Sequence, residues 1–270
     1  MPRIARKTLC ERRVGAVSYV DIHAHFADEG YSFPEEWNKI KAAGVDTVVL
    51  AGDCVAHSKM HRDFCADHEG AYFCCGVHPS ETDGFSQHTI EELRVLTRDD
   101  KCVAVGEIGL DYHYPDTDKQ KQREAFIKQI LLAEEVGLPV QVHARDCAAD
   151  ALALLREMNA HMRRGFLLHC YGFGAEMMDD FLALGAYFSF GGVTCFKNAR
   201  KVLESAVRCP LDKILTETDS PYLSPFRGEK NTPANIPVIV QKIACERGMA
   251  EERLVCAVRE NGKRLFEKIK

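Results

Sequence analysis

Six side chains in this 270-residue chain have the types and positions of a metal site. His23 and His25 stand one residue apart in Val20-Asp21-Ile22-His23-Ala24-His25. In a strand, alternation puts both imidazoles on one face and Ile22 and Ala24 on the other. Two imidazoles so spaced form a natural chelate for a divalent cation, although such a pair also arises as ordinary hydrogen-bonded histidines. Glu107, in Gly106-Glu107-Ile108-Gly109-Leu110-Asp111, shares parity with Val103 and Val105 and is expected in the interior. A carboxylate there is costly without a cation beside it. His143 ends Gln141-Val142-His143, His169 ends Leu167-Leu168-His169, and Asp219 ends Leu215-Thr216-Glu217-Thr218-Asp219. Any one of these is readily explained as a structural polar residue. Together they fall at the same end of five separate apolar runs, which core filling does not explain. They also exceed the needs of one tetrahedral ion. Six such ligands suit two divalent cations that share a carboxylate and each keep an open position for water.

Other residues at the same end carry less specific signals. His78, between Val77 and Pro79, is either a supporting or substrate-phosphate group or a histidine capping a turn. Arg145, two residues past His143, is expected to hold an anionic substrate, or else to make a surface ion pair. Arg227 and Lys230 lie in the polar loop after Asp219, where phosphate contact is expected. His57, His61, His68, His88 and His161 fall on helical or loop stretches and are expected in solvent. Ser220 lacks the Gly-x-Ser-x-Gly setting of a nucleophile elbow.

The elements that must position these residues alternate along the chain. Apolar runs rich in β-branched residues at 17–22, 45–51, 71–77, 102–108, 139–143, 166–169, 186–190 and 213–218 read as eight strands. Stretches of helical period at 35–43, 58–68, 89–96, 120–136, 148–159, 176–184 and 199–207 lie between them, and 236–247 and 251–268 read as two closing helices. In 120–136, Phe126, Ile127, Ile130, Leu131 and Leu132 form an apolar stripe, and Gly137 followed by Pro139 marks the stop. Repeated strand–helix order implies a parallel α/β sheet. About eight units imply closure into a single-domain (β/α)8 TIM barrel, whose site lies at the carboxyl ends of the strands. An open doubly wound sheet is the alternative, but no Gly-x-Gly-x-x-Gly follows the first strand, so no dinucleotide cofactor is expected.

Composition limits the partners. Lys plus Arg is 35 and Asp plus Glu is 40, a net charge of −5, which excludes a strongly basic nucleic-acid coat but not a local basic groove. No apolar run approaches the ~18 residues of a membrane span. Residues 1–16 are basic, with no apolar core behind them, and read as a flexible extension rather than a secretory signal. The 12 cysteines show no Cys-x-x-Cys pair and read as reduced thiols of a cytoplasmic protein. Four histidines favour zinc; the carboxylates would also accept Mn²⁺ or Mg²⁺.

These segments resemble the TatD family of metal-dependent deoxyribonucleases. The resemblance runs through Asp21-Ile22-His23-Ala24-His25, Gly76-Val77-His78-Pro79, Gly106–Asp111, Gln122-Arg123 and Leu138–Arg145. It continues in Leu168-His169-Cys170, Ser189-Phe190-Gly191-Gly192, Thr216–Leu223, and Arg227-Gly228 with Asn231 and Pro233. It implies a distorted TIM barrel over 17–270. It implies one cation on His23, His25 and Asp219, a second on His143 and His169, and Glu107 as the bridge. Asp219, ligating and adjacent to the attacking water, is the residue expected to orient it and take its proton. The resemblance also implies hydrolysis of DNA phosphodiesters, often from a 3′ end. Residues 1–16 depart from the family, whose members begin almost at the first strand. The same chemistry on a lactone, an amide or a small phosphoester is the alternative activity, and an idle metal-binding protein the alternative class.

Overall fold

The computed structural model describes residues 18–25, 27–28 and 31–270; the expected extension 1–16 lies outside the described residues. β1 (Tyr19–Ala24) leads into a hairpin of β2 (Ala27–Asp28) and β3 (Tyr31–Ser32), which sequence patterning did not suggest. Strand and helix then alternate: α1 (Phe33–Ala42), β4 (Val45–Ala51), α2 (Val55–Asp67), β5 (Ala71–Cys75), α3 (Gln87–Leu96), β6 (Cys102–Asp111) and α4 (Lys119–Val136). They continue as β7 (Val140–Arg145), α5 (Ala148–Glu157), β8 (Phe166–Leu168), α6 (Ala175–Leu182), β9 (Tyr187–Phe190), α7 (Arg200–Arg208) and β10 (Ile214–Thr216). α8 (Ile236–Glu246) and α9 (Glu251–Leu265) close the chain.

Eight strands pair in parallel in the order β1-β4-β5-β6-β7-β8-β9-β10, the expected α/β barrel. It is distorted at one seam. Among the described residues β10 and β1 share no ladder, and side chains close the gap instead. The Thr216 hydroxyl donates to the Val20 carbonyl (3.0 Å), and the Thr218 amide donates to Asp21 Oδ1 (3.0 Å). The Thr218 hydroxyl donates to the other Asp21 oxygen. Past the strand ends, the Asp219 amide donates to the His23 carbonyl (2.9 Å) and the His25 amide to the Ser220 carbonyl (2.8 Å). The seam thus sets Asp219 beside His23 and His25.

α4 shows how the outer layer holds the loops. Its buried positions are Gln122, Ala125, Phe126, Gln129, Ile130, Leu132 and Ala133, a stripe at helical spacing. The stripe is rotated from the expected one: Leu131 is exposed, and two glutamines take apolar places. Both act as peptide mimics. Gln129 accepts from the Val77 amide (2.8 Å) and donates to the Val77 carbonyl (3.1 Å). Gln122 accepts from the Asp111 amide (2.9 Å) and donates to the Asp111 and Pro79 carbonyls (3.0 and 3.3 Å). One helix therefore fixes the loop carrying His78 and the end of β6. Gly137, with φ 68°, ends this helix as expected.

Two further expectations change. His61 sits on the inner face of α2 with Ser58 and Cys65 and is buried, not solvated. The described cysteines are all free, as expected, but Cys245 and Cys256 are exposed.

Candidate metal centre

β6 supplies the central carboxylate. A Cβ on Gly106 would lie 2.6 Å from that of Gln141, so the absence of a side chain lets β7 approach. The β6–β7 register slips between Val105 and Ile108, which places Glu107 in a bulge. Bulges interrupt the two-residue alternation and re-aim a side chain, so parity alone does not carry Glu107 inward. β1 shows a similar register shift between Asp21 and Ala24, at His23.

The two oxygens of Glu107 face different ligand groups. Oε2 lies 3.4 Å from His23 Nε2 and 3.8 Å from His25 Nε2. Asp219 Oδ1 joins these atoms, 3.5 Å from His23 Nε2 and 3.2 Å from His25 Nε2. Oε1 lies 2.7 Å from His143 Nδ1 and 2.8 Å from His169 Nε2, and those two nitrogens are 3.2 Å apart. The fold thus gathers all six expected ligands from β1, β6, β7 and the ends of β8 and β10.

The donor set fits divalent cations. His23 Nε2 and Glu107 Oε2 are buried without a hydrogen-bond partner although they face each other. Unsatisfied buried polar atoms of this kind call for an ion or a water. Ligands in a tetrahedron with bonds of about 2.1 Å lie about 3.4 Å apart, close to the separations around Glu107 Oε2.

A second layer orients the imidazoles. Gln141 Nε2 donates to the Ile22 carbonyl (2.8 Å), which can only accept, so Gln141 Oε1 must be an acceptor. His23 Nδ1 therefore donates to it (2.9 Å), leaving the Nε2 lone pair aimed at the cluster. His143 Nε2 lies 3.2 Å from Asp111 Oδ2, freeing Nδ1 in the same way. Glu217 Oε2 stands 3.7 Å from His169 Nδ1 and accepts from the Ser189 hydroxyl (2.6 Å). Gln141, Asp111, Glu217 and Gln122 fall within segments of the family resemblance, but the sequence assigned none of them a role at the site. For Gln141 the signal was present: a polar residue sharing parity with His143 in an apolar run.

The ionisable groups of the cluster shift one another. Burial pushes Glu107 up, but the charge of His169 and the bond from His143 outweigh it, leaving its carboxyl well below the usual range. Asp219 is likewise lowered: burial is overcome by the His25 bond and the charges of His23, His25 and His169. Burial opposes the charge on His25, yet the bond and charge of Asp219 raise it to about 9. His143 and His169 are raised by their carboxylate neighbours in the same sense. His78 differs, because burial drives it down to about 4. Its Nδ1 accepts from the Ser80 amide (3.1 Å), so the neutral ring carries its proton on Nε2, 3.8 Å from Glu107 Oε1.

The remaining expected residues lie outside the cluster. Arg145 is exposed at the end of β7, opposite Asp111 in register, and its charge helps lower that carboxyl. Arg227 and Lys230 are exposed in the loop after β10, outside the ligand groups His23, His25, Glu107 and His23, His169, Asp219. Among the described residues, four non-glycines adopt left-handed backbone: Asp146 (φ 54°), Cys170 (43°), Asp219 (56°) and Leu223 (52°). The first three lie just past β7, β8 and β10, and Leu223 lies further along the loop after β10. Such conformations cost about 1–3 kcal/mol each and persist where the surroundings impose them; the Asp219 amide bond to His23 is one such restraint.

The chain is similar to known proteins over most of its length. Residues 20–267 match the family described as TatD related DNase. The chain is 38% identical over 254 residues to the uncharacterized metal-dependent hydrolase YcfH of Escherichia coli K12, covering 92% of this chain and 95% of that one. It is 32% identical over 239 residues to the 3′-5′ ssDNA/RNA exonuclease TatD of Cronobacter sakazakii, covering 85% and 90%. The crystal structure of YJJV, a TatD homolog from Escherichia coli K12, superposes with a TM-score of 0.87 at 25% identity, covering 93% and 99%.

Proposed function

The chain belongs to the TatD-related DNase family and is a metal-dependent hydrolase acting on ester bonds, and from that premise we propose that it cleaves DNA phosphodiesters with two divalent cations, removing nucleotides from the 3′ end of a single strand. The observation that carries the reading is the split of Glu107: one oxygen serves His23, His25 and Asp219, the other His143 and His169. In this assignment His23, His25 and Asp219 would hold one cation and His143 and His169 the other, with Glu107 offering an oxygen to each. Bound there, zinc, manganese or magnesium would supply positive charge against the phosphate oxygens and acidify the attacking water.

The protein's own groups do the rest. Asp219, held ionised and more open than Glu107 (15% against 2% exposed), orients the water and accepts its proton on a carboxylate oxygen. His78, neutral with its proton on Nε2, donates a hydrogen bond to a phosphate oxygen without adding charge. Arg145 at the end of β7 and Arg227 and Lys230 in the loop after β10 hold the flanking phosphates. The exonuclease name of the Cronobacter relative supports single-stranded DNA as the substrate. The net charge of −5 places the attraction for a polyanion in these local groups and in the cations.

The deciding assay follows end-labelled single-stranded, double-stranded and abasic oligonucleotides with Zn²⁺, Mn²⁺ or Mg²⁺, before and after chelation. Stepwise shortening from the 3′ end that stops on chelation, with helical circular dichroism retained, is the expected result. A barrel of this size has core enough to stand without its ions. Hydrolysis of a lactone, an amide or a small phosphoester, with no cleavage of any oligonucleotide, would refute the DNA assignment.

A further inference from the structure

Exposed aromatic rings lie in the two loops that follow β9 and β10, and one of them stands beside the metal-ligand cluster. Tyr222 is 48% exposed, and its ring lies 5.6 Å from that of His25 at 70°. Phe226, four residues on, is 42% exposed, and Phe196, after β9, is 38% exposed. Single exposed aromatics are common on protein surfaces and need no explanation. Here three lie on adjoining loops, one of them against a ligand of the cluster, and Arg227 and Lys230 belong to the same loop as two of them.

The backbone that carries these rings is tied down. Gly192 is packed so closely on the β10 loop that a Cβ there would collide with the Leu223 carbonyl. Buried Asn231 ties the β10 loop at both ends: its amide donates to the Pro221 carbonyl (2.9 Å) and its side chain to the Thr218 carbonyl (2.7 Å). The Tyr222 amide donates to the Asp219 carbonyl (2.9 Å), which fixes the backbone that carries the ring relative to Asp219. The ring itself rests edge-on against His25.

Resting on the phosphodiesterase reading, we propose that Tyr222, supported by Phe226, is a stacking platform for the unpaired bases next to the cleaved bond. A base lies one sugar away from its phosphate, so a strand with its phosphate over Glu107 and Asp219 brings a base to the neighbourhood of the His25-Tyr222 pair. Stacking tolerates every base, because each has a π face, and it adds to the phosphate contacts of Arg227 and Lys230. It also discriminates by strandedness: in a duplex the base faces are already stacked on their neighbours and unavailable. Tyr222 and Phe226 would thus favour a single strand over a duplex without reading sequence.

The test compares Tyr222→Ala, Tyr222→Phe and Phe226→Ala with wild type on a single-stranded oligonucleotide and on one abasic in its last positions. Metal content is measured alongside. Loss of one base–aromatic stack raises KM by about tenfold or more. Tyr222→Ala is expected to show that rise on the base-bearing strand and to erase the wild-type preference for it over the abasic strand. Tyr222→Phe, which keeps the π face, is expected to retain the preference, and Phe226→Ala to weaken it less. Equal KM values for wild type and Tyr222→Ala on the base-bearing strand would overturn the platform while leaving the nuclease reading intact. So would an equal loss on both strands, or loss of metal from the alanine variant, since Tyr222 would then act by supporting His25. If wild type neither binds nor cleaves either strand, the DNA reading itself fails, and the platform with it.

Discussion

Replacing Gln141 with leucine tests how far the ligand geometry depends on one neutral side chain. Gln141 is fully buried, donates to the Ile22 carbonyl, and accepts from His23 Nδ1 (2.9 Å) and from the Cys74 thiol (3.1 Å). Leucine has nearly the same volume, so the change removes hydrogen bonds without opening a large cavity. It leaves the Ile22 carbonyl and the His23 Nδ1–H buried without partners, each at about 1–3 kcal/mol. The apolar replacement recovers part of this, for a net loss of about 2–4 kcal/mol. At about 2–4 °C per kcal/mol for a protein of this size, the melting temperature falls by about 4–16 °C. The second effect is specific to the cluster. Without its acceptor, the His23 ring is free to turn or to change tautomer, and metal affinity is expected to fall about 10- to 100-fold. Asn261→Leu separates the two effects. Asn261 is also buried, and donates to the Leu211 and Ile214 carbonyls (2.9 and 2.8 Å) at the opposite end of β10. It should lower stability comparably and leave metal affinity untouched. Calorimetric metal titration of both variants, with thermal unfolding in chelator, reads both quantities. Wild-type metal affinity in Gln141→Leu would refute the argument that Gln141 sets the tautomer of His23.

Glu107→Ala removes the group shared by both ligand sets and should strip metal from both positions, whereas Asp219→Asn keeps an oxygen ligand, retains more metal and loses activity by about 10²- to 10⁴-fold; metal analysis set beside turnover distinguishes them. Replacing Arg227 and Lys230 together with alanine should raise KM for an oligonucleotide and flatten its salt dependence, because fewer counterions are released on binding, with metal content unchanged; kinetics at two salt concentrations decide. His61, which burial and then the charges of His25 and His57 push down to about 3, is neutral in the folded protein while the unfolded chain takes up its proton below about 6.5. Stability should therefore be complete above about pH 6.5 and fall by up to about 1.4 kcal/mol per pH unit on acidification toward pH 3. Urea unfolding of wild type and His61→Leu at several pH values should show that slope reduced in the variant.

The sequence exposed the ligands better than the parts that aim them. His23, His25, Glu107, His143, His169 and Asp219 were legible because charged groups interrupt apolar runs at one end, and burial makes that pattern costly without a purpose. The eight strands were legible for the same reason. Glu107 reached the interior for a reason alternation does not supply, since the bulge between Val105 and Ile108 breaks the two-residue count. The buried roles of Gln122 and Gln129 are hidden because Phe126, Ile127, Ile130, Leu131 and Leu132 make a plausible apolar stripe without them. Taking the period strictly, 122–126–129–133, would have put two amides into the core and prompted the question of what they bond. His61 was hidden likewise: 58–61–65 is one face of α2, and it is the buried one. The hairpin of β2 and β3 has only two residues in each strand, too few to show a period.

What unites these missed residues is the handling of charge in an apolar barrel. Six ionisable ligands are brought together where each alone would be costly. The protons that neighbouring carboxylates hold on His25, His143 and His169 offset Glu107 and Asp219. Divalent cations would take over that work and displace the protons, so metal affinity is tied to pH. The exchange keeps its geometry only if the rings stay where they are when protons leave. Gln141, Asp111 and Glu217 face the far nitrogens of His23, His143 and His169, while Gln122 and Gln129 pin the loops on either side. These groups touch no substrate in the proposed reaction, yet they decide whether the six ligands act as one site.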